Sequence, residues 1–304
     1  MNVAAIDIGT NSTRLLVLDD AGRAVHRRTE ITRVGAGIDR TRRLDADGMA
    51  RTLTVLRDYR RELDRLDVER ITVVGTAAVR RADDAAAFLD AVEQAAGTRP
   101  TVLSGADEGR LTFLGATTHL DPTSPPVLVI DLGGGSTELA VGRAGAPDGP
   151  SQVVSIDLGC VTITEAEIAS DPPRPEELTN AIGAATDALA DARRQLPMLD
   201  EVRTVVGVGG TITTVAAVEL GLARYDRDLV HGLVLTRPQV EDVFRTLATE
   251  RLADRVHNPG LQAARADVIV GGCCILVALL RNLPADELHV ADSDLLDALA
   301  RSLL

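Results

Sequence analysis

Apolar residues in this chain recur with two different periods, and the shorter one appears twice in nearly the same form. Residues 4–20, AAIDIGTNSTRLLVLDD, and residues 127–143, VLVIDLGGGSTELAVGR, each read as an apolar strand, an Asp-x-Gly turn with small polar residues, and a second apolar strand. In the first half the pattern predicts strands at 3–8, 14–19 and 24–34. A helix follows over 45–66, with Met49, Leu53, Leu56, Leu63 and Leu66 on one face. Strand 70–75, helix 82–96, strand 101–103 and helix 105–119 then alternate. The second half is predicted to hold strands 127–131, 137–142 and 153–158, helices 160–168 and 175–195, and strand 203–207 leading into Gly209-Gly210-Thr211 and a helix. Helices 237–248 and 263–281, strand 287–291 and helix 293–303 close the chain. Alternating helices and strands define an α/β protein in which parallel pairing is expected.

Between the two halves lies DPTSPP, residues 121–126, which has no periodicity and three prolines. It is the expected boundary between a domain of residues 1–122 and one of residues 123–304. Two similar domains facing each other would build a cleft lined by both Gly-containing turns, and such clefts are preferred ligand sites.

Composition narrows the chemistry. With 45% hydrophobic and 25% charged residues over 304 positions, the chain is a folded globular protein. Its longest apolar run, Val268 to Leu280, is interrupted by Gly271 and Gly272 and falls short of the roughly 20 residues a bilayer span needs, so it reads as a buried helix. The N-terminus shows no export signal, and a cytoplasmic location is expected. A net charge of −13 argues against a nucleic-acid or acidic-membrane partner; a homodimer stands as a candidate assembly. Cys160, Cys273 and Cys274 have neither disulfide nor zinc spacing and read as inert core thiols. All 32 basic residues are Arg, so the lysine of a P-loop, the strand lysine of a protein kinase and Schiff-base chemistry are absent. Phosphate, if handled here, must be met by backbone amides, Arg and metal.

Three loops suit that task. Asp7 is followed by Gly9, Thr10, Asn11 and Ser12, and Asp131 by Gly133, Gly134, Gly135 and Ser136; successive N–H groups in such turns can converge on an anion. Gly209, Gly210 and Thr211 open a helix, where the dipole also favours an anion. Any one of these is more often an ordinary turn; their coincidence is what points to a ligand. Between positions 23 and 43, Arg23, Arg27, Arg28, Arg33, Arg40, Arg42 and Arg43 crowd together, either as a guide for a polyanion or as charges facing water.

The segments DIGTNSTR (7–14), GTAAVRRA (75–82), SGADEGRLTFLGA (104–116), DLGGGSTEL (131–139), GVGGTITT (207–214), VHG (230–232) and ADVIVGG (266–272) occur in this order. Together they resemble the exopolyphosphatase and guanosine pentaphosphate phosphohydrolase family, in its short form without the further helical domain. The resemblance implies two ribonuclease-H-like domains of the actin, sugar-kinase and heat-shock-chaperone superfamily around a cleft. Asp107-Glu108 stands where the family often has Glu-Glu, and the segment 291–299 matches more loosely.

The resemblance makes Glu108 the water-activating base and Arg80 the cleft arginine, with Arg14 a second candidate for phosphate. Asp131, Glu138 and Asp7 are strand-end carboxylates suited to Mg²⁺ (or Mn²⁺), which takes one or two carboxylates together with substrate phosphates. His231 matches a family position, although a His beside Gly can simply cap a turn. The implied reaction is release of terminal orthophosphate from inorganic polyphosphate. Its closest rival is removal of the 5′ terminal phosphate of guanosine pentaphosphate, pppGpp. A kinase or ATPase of the same fold and a non-catalytic phosphate-ligand sensor are the remaining alternatives.

Overall fold

The computed structural model describes all of residues 1–304 except Pro147 and Pro284. The first half begins with strands β1 (Asn2–Ile8), β2 (Ser12–Leu18) and β3 (Ala24–Ile31), followed by helices α1 (Ile38–Thr41) and α2 (Ala46–Arg65). Strand β4 (Val68–Gly75), helices α3 (Ala77–Arg81) and α4 (Ala85–Ala96), strand β5 (Thr101–Val102) and helix α5 (Gly105–Ala116) come next. The second half repeats the opening with β6 (Val127–Leu132), β7 (Thr137–Gly142) and β8 (Gln152–Ile156), then α6 (Cys160–Glu167) and α7 (Pro175–Arg193). After β9 (Thr204–Val208) come α8 (Gly210–Glu219), α9 (Arg227–Val230), β10 (Val234–Thr236), α10 (Arg237–Thr249) and α11 (Leu252–Arg255). Helix α12 (Ile269–Asn282), β11 (Glu287–Val290) and α13 (Leu295–Arg301) end the chain.

The two sheets have one topology. In the first the order is β3-β2-β1-β4-β5; in the second it is β8-β7-β6-β9-β11, with β10 added at the edge. Each has two antiparallel pairs followed by parallel ones: β1 runs parallel to β4 as β6 does to β9. A meander that continues into parallel strands through crossover helices is the ribonuclease-H-like plan, and here it is built twice. The apolar runs explain the placement, because β1 and β6 are central strands covered on both faces and are buried almost throughout.

Strands of the first sheet come from residues 2–102 and those of the second from 127–290, but the helices are not so divided. On α5, Phe113 and Ala116 pack with Val127, Val129 and Val206 beneath the second sheet. The chain then returns: Leu295, Leu296, Leu299 and Ala300 of α13 pack on Val3, Ala5, Leu16 and Leu18 of the first sheet. Where the two helices meet, a Cβ at Gly115 would collide with the Asp294 carbonyl, so the close approach requires glycine. Thus α5 and α13 lace the sheets together.

Three expected elements differ. Strand 24–34 stops at Ile31, because the N–H groups of Thr32 and Arg33 both donate to the Asn11 carbonyl at 3.0 Å and Arg33 turns away with φ 56°. Helix 82–96 begins at Ala85, the preceding Ala77–Arg81 forming its own short helix. Helix 263–281 is broken into a 3-10 turn at Ala263–Arg265 and α12, a break that turns Arg265 toward the cleft. Strand β10 has only three residues and gave no readable period.

Candidate active site

Antiparallel register fixes which side chains meet at each repeated turn. In the first hairpin Asp7 lies directly opposite Arg14; in the second Asp131 lies opposite Glu138. Both turns are closed the same way, Gly9 N–H donating to the Ser12 carbonyl at 2.9 Å and Gly133 N–H to that of Ser136 at 3.0 Å. The turns also touch: a Cβ built on Gly135 would stand 2.5 Å from the Thr10 hydroxyl, and one on Gly134 3.2 Å from the Asn11 backbone nitrogen. Gly209, with φ 97°, brings the third loop against the Leu132 carbonyl, a conformation and an approach that only glycine permits.

These loops line a cavity of about 480 Å³ between the sheets. Asp7, Gly9, Thr10, Asn11, Ser12 and Arg14 form one wall. Asp131, Gly133, Gly134, Gly135, Ser136, Gly209, Gly210 and Thr211 form the other, and Glu108 reaches it from the first turn of α5. Ser104 caps that helix by accepting the Asp107 N–H at 3.1 Å, which fixes where Glu108 points.

The carboxylates are electrostatically strained. Burial, then the neighbouring Asp131, push the Glu108 pKa up to about 7, against the Arg80 guanidinium that donates to it at 3.0 Å. Burial and Asp294 push Asp131 up to about 6, although the Thr112 hydroxyl donates to it at 2.8 Å. Glu138 is raised by burial and by its two acidic neighbours, Glu108 and Asp131, while Ser155 donates to it at 2.7 Å. Asp7 is raised by burial in spite of Arg14, which donates to it at 2.7 and 3.0 Å.

Not every expected residue reaches the cleft. Arg80, expected to hold phosphate, is not among the cavity-lining residues; its guanidinium donates to the Glu108 carboxylate at 3.0 Å and to the Leu103 carbonyl at 2.9 Å, and so holds that carboxylate in place. Glu138 is buried behind the wall. Arg14 is on the wall but held by Asp7 and Asp294 together. The arginines of 23–43 are largely neutralised: Arg23 pairs with Asp19, Arg27 with Asp297, Arg28 with Glu30 and Glu62, Arg33 with Asp267, Arg42 with Asp83 and Arg43 with Asp84. That pairing removes most of the guiding field a polyanion would feel.

Other residues on the wall had no motif to announce them. Arg265 faces the cavity, and its only side-chain hydrogen bond among the described residues goes to Gln262 at 3.2 Å. Tyr225, Arg227 and Asp292 cluster beside it, the tyrosine hydroxyl donating to Asp292 at 2.9 Å. Asp294 both caps α13, accepting the Leu296 N–H, and grips Arg14. Burial opposes its ionisation, but Arg14 overrides that and holds its pKa below the usual range. The loosely matching 291–299 segment therefore supplies the cleft with two acids. Cys160 also lines the cavity, its thiol kept protonated by burial, while Cys273 and Cys274 are buried in the core as expected.

Do these residues suit a divalent ion? Asp7 Oδ1 and Glu138 Oε2 are buried oxygens with no hydrogen-bond partner, and so is the Asn11 amide nitrogen. Acceptors left free beside carboxylates that raise one another's pKa are what a hard cation relieves, and an all-oxygen donor set favours Mg²⁺ or Mn²⁺ over zinc. Among the described residues no three acids form a preset cage.

A doubly built ribonuclease-H-like fold with glycine turns and acids converging on one cleft defines a phosphoryl-handling protein of the actin and sugar-kinase superfamily. The family model for the Ppx/GppA phosphatase family matches residues 7–299, and the chain belongs to that family. It is 37% identical to Exopolyphosphatase 2 of Mycobacterium tuberculosis (strain ATCC 25618 / H37Rv), the match covering 99% of this chain and 98% of that one. It is 31% identical to guanosine-5′-triphosphate,3′-diphosphate pyrophosphatase of Vibrio atlanticus (strain LGP32), covering 99% of this chain but 59% of that longer protein. The solved Ppx/GppA family member of Aquifex aeolicus superposes with a TM-score of 0.81 at 34% identity, covering 100% of this chain and 97% of that one.

Proposed function

We propose that this protein is an exopolyphosphatase, releasing terminal orthophosphate from inorganic polyphosphate of short chain length. The observation that carries the reading is Glu108: a carboxylate with a pKa near 7, aimed into the cleft where both glycine turns meet. A base tuned to neutral pH can take a proton and still be free to do so again. The full-length similarity to Exopolyphosphatase 2 supports the substrate.

Hydrolysis of a phosphoanhydride is mostly positioning and charge neutralisation. Backbone N–H groups of residues 10–12, 134–136 and 209–211 receive the terminal phosphoryl group, and the unpartnered Asn11 side-chain amide donates to one of its oxygens. Water on the Glu108 side attacks phosphorus; Glu108 accepts its proton as the new P–O bond forms and the bridging P–O bond breaks. Arg80 keeps the carboxylate aimed and takes up none of the reaction itself. Asp7 and Asp131 on the cavity wall are the side chains that would hold Mg²⁺, or Mn²⁺ in its place, with Glu138 behind them adding negative charge; the ion when bound would neutralise charge on the phosphate oxygens.

A second reading, pppGpp 5′-phosphohydrolase, is favoured by one observation: Tyr225, one of only two tyrosines, stands on the cleft wall where a base could lie against it. Substrate alone is the partner proposed, with no nucleic acid and no membrane; no described helix is long and apolar enough to cross one. A homodimer, two domains divided near residue 122 with α13 returning to the first, and a cytoplasmic location belong to the same proposal, the last in keeping with three free buried thiols. The test is phosphate release, with Mg²⁺, from short and long polyphosphate, pppGpp and ATP side by side. Fastest kcat/KM on polyphosphate is expected. Preference for pppGpp would install the second reading, turnover of ATP only with an acceptor would make the protein a kinase, and tight binding without turnover would make it a sensor.

A further inference from the structure

His231 lies off the cavity wall, and the reaction described above does not use it. Its surroundings nevertheless tie it to the cleft. Strand β10 pairs antiparallel with β11 in a register that sets Val234 opposite His289. Beyond the strand ends the ladder continues: Val290 N–H donates to the Leu233 carbonyl at 2.8 Å and Gly232 N–H to the Val290 carbonyl at 2.7 Å. The next strand-direction donor, Asp292 N–H, meets an imidazole in place of a carbonyl, donating to His231 Nδ1 at 3.1 Å.

We propose that His231 is a positioning residue of the cleft: its neutral ring extends the sheet by one hydrogen bond and so sets the 291–294 segment, which presents Asp292 to the cavity and Asp294 to Arg14. The proposal rests on the hydrolase reading for its functional consequence. Other bonds hold the segment on either side of this one, but among the described residues the His231 ring accepts the Asp292 N–H. Ala291 N–H donates to the Gly207 carbonyl at 2.9 Å, Arg227 donates to the Asp292 carbonyl at 2.7 Å, and Asp294 N–H reaches Asp297 at 3.3 Å. Through the Asp292 carboxylate the segment also holds Tyr225 at 2.9 Å and faces Arg227 Nε at 3.3 Å, so a shift of Asp292 moves three cavity-lining side chains at once.

The ring must be unprotonated at Nδ1 to accept, and its setting favours that state. Partial burial, Arg227 and the edge-on ring of His119, 6.0 Å away between centroids, hold its pKa below the usual value, while Asp292 and Asp297 oppose them. An Asp292 N–H deprived of its acceptor would be left unsatisfied at the mouth of the site. Asp131 and Glu108 keep their own anchors, Thr112 and Arg80, so the loss falls on substrate binding rather than on the chemical step.

The test compares His231→Ala and His231→Asn with wild type, using inorganic polyphosphate kinetics and amide hydrogen exchange of residues 287–299. In the alanine variant KM is expected to rise about tenfold, the scale of one unsatisfied buried donor, with kcat within about twofold. Exchange at Asp292 accelerates in the same variant, and Tm falls by a few degrees, the cost of that donor to the fold. Asparagine, whose side-chain oxygen can accept the same N–H, restores both protection and KM. Wild-type exchange and KM in the alanine variant would overturn the proposal, as would an asparagine variant no better than alanine. Should wild type release no phosphate from any substrate, the hydrolase reading fails alone, and the exchange arm still decides the role of His231.

Discussion

The two hairpins at the cleft share a turn, a register and a sheet position, yet they are opposite in charge logic. In the first, Asp7 faces Arg14 across the strands and a second acid, Asp294, completes a closed ionic cluster. In the second, Asp131 faces Glu138, two like charges directly opposite, an arrangement that normally destabilises a sheet. Neither forms an ion pair among the described residues, although Arg14 acts on Asp131 from the first hairpin; their hydrogen-bond partners are the hydroxyls of Thr112 and Ser155. One hairpin thus reads as an ion-paired support, and the other stores more of the electrostatic strain that functional sites carry.

The largest effect should come from relieving that strain. Asp131→Asn and Glu138→Gln are each expected to lower kcat/KM on polyphosphate by about a hundredfold or more, a scale typical of a removed charge-stabilising or proton-handling group. Both should also raise the metal-free Tm by a few degrees, because a buried repulsion is gone. Loss of activity with loss of stability would place these acids with the support instead.

Breaking the first hairpin should do the reverse. Arg14→Met leaves Asp7 and Asp294 buried without their shared cation, and removal of one partner from a buried pair costs roughly 3–5 kcal/mol. Urea unfolding would register it as a lowered midpoint. An unchanged midpoint would deny that this cluster supports the fold.

A smaller effect is the pH dependence of metal-free stability. Glu108, rising from 4.5 to about 7, and Asp131, from 3.8 to about 6, bind protons in the folded state at pH values where the unfolded chain has released them. Such groups contribute stability below their unfolded pKa and lose it as pH climbs through the folded one. Tm in chelator should therefore fall between about pH 4.5 and about pH 7, and added Mg²⁺ should flatten the fall. A Tm that rises across this window would contradict the strain.

The smallest effect is expected outside both hairpins. Replacing Arg42 and Arg43 together by Ala should leave kcat/KM within about twofold, because both are exposed and paired with Asp83 and Asp84. A larger drop, steepened at low salt, would restore the idea of a guiding patch.

Chemistry legible in the sequence was local chemistry. Asp7, Asp131 and Glu108 sit beside turns or caps whose residue types announce them, and the duplicated meander was readable because strand period and turn residues lie within a few positions. Arg14 and Asp294 meet across 280 residues, which no local pattern records. Arg80 kept its motif, but its bond to Glu108 was not legible, since which carboxylate an arginine meets depends on how α5 packs. The arginine run looked basic because its acids, Glu62, Asp267 and Asp297, come from distant elements. Arg265 is hidden in the sequence because an apolar helix period runs through the turn that aims it into the cleft.

The most direct test of the account is phosphate release from polyphosphate by the Glu108→Gln variant, with polyphosphate binding measured on the same sample. Turnover is expected to fall by about a hundredfold or more while binding and Tm are retained. Turnover within about twofold of wild type would contradict the claim that the carboxylate at the meeting point of the two glycine turns activates the water.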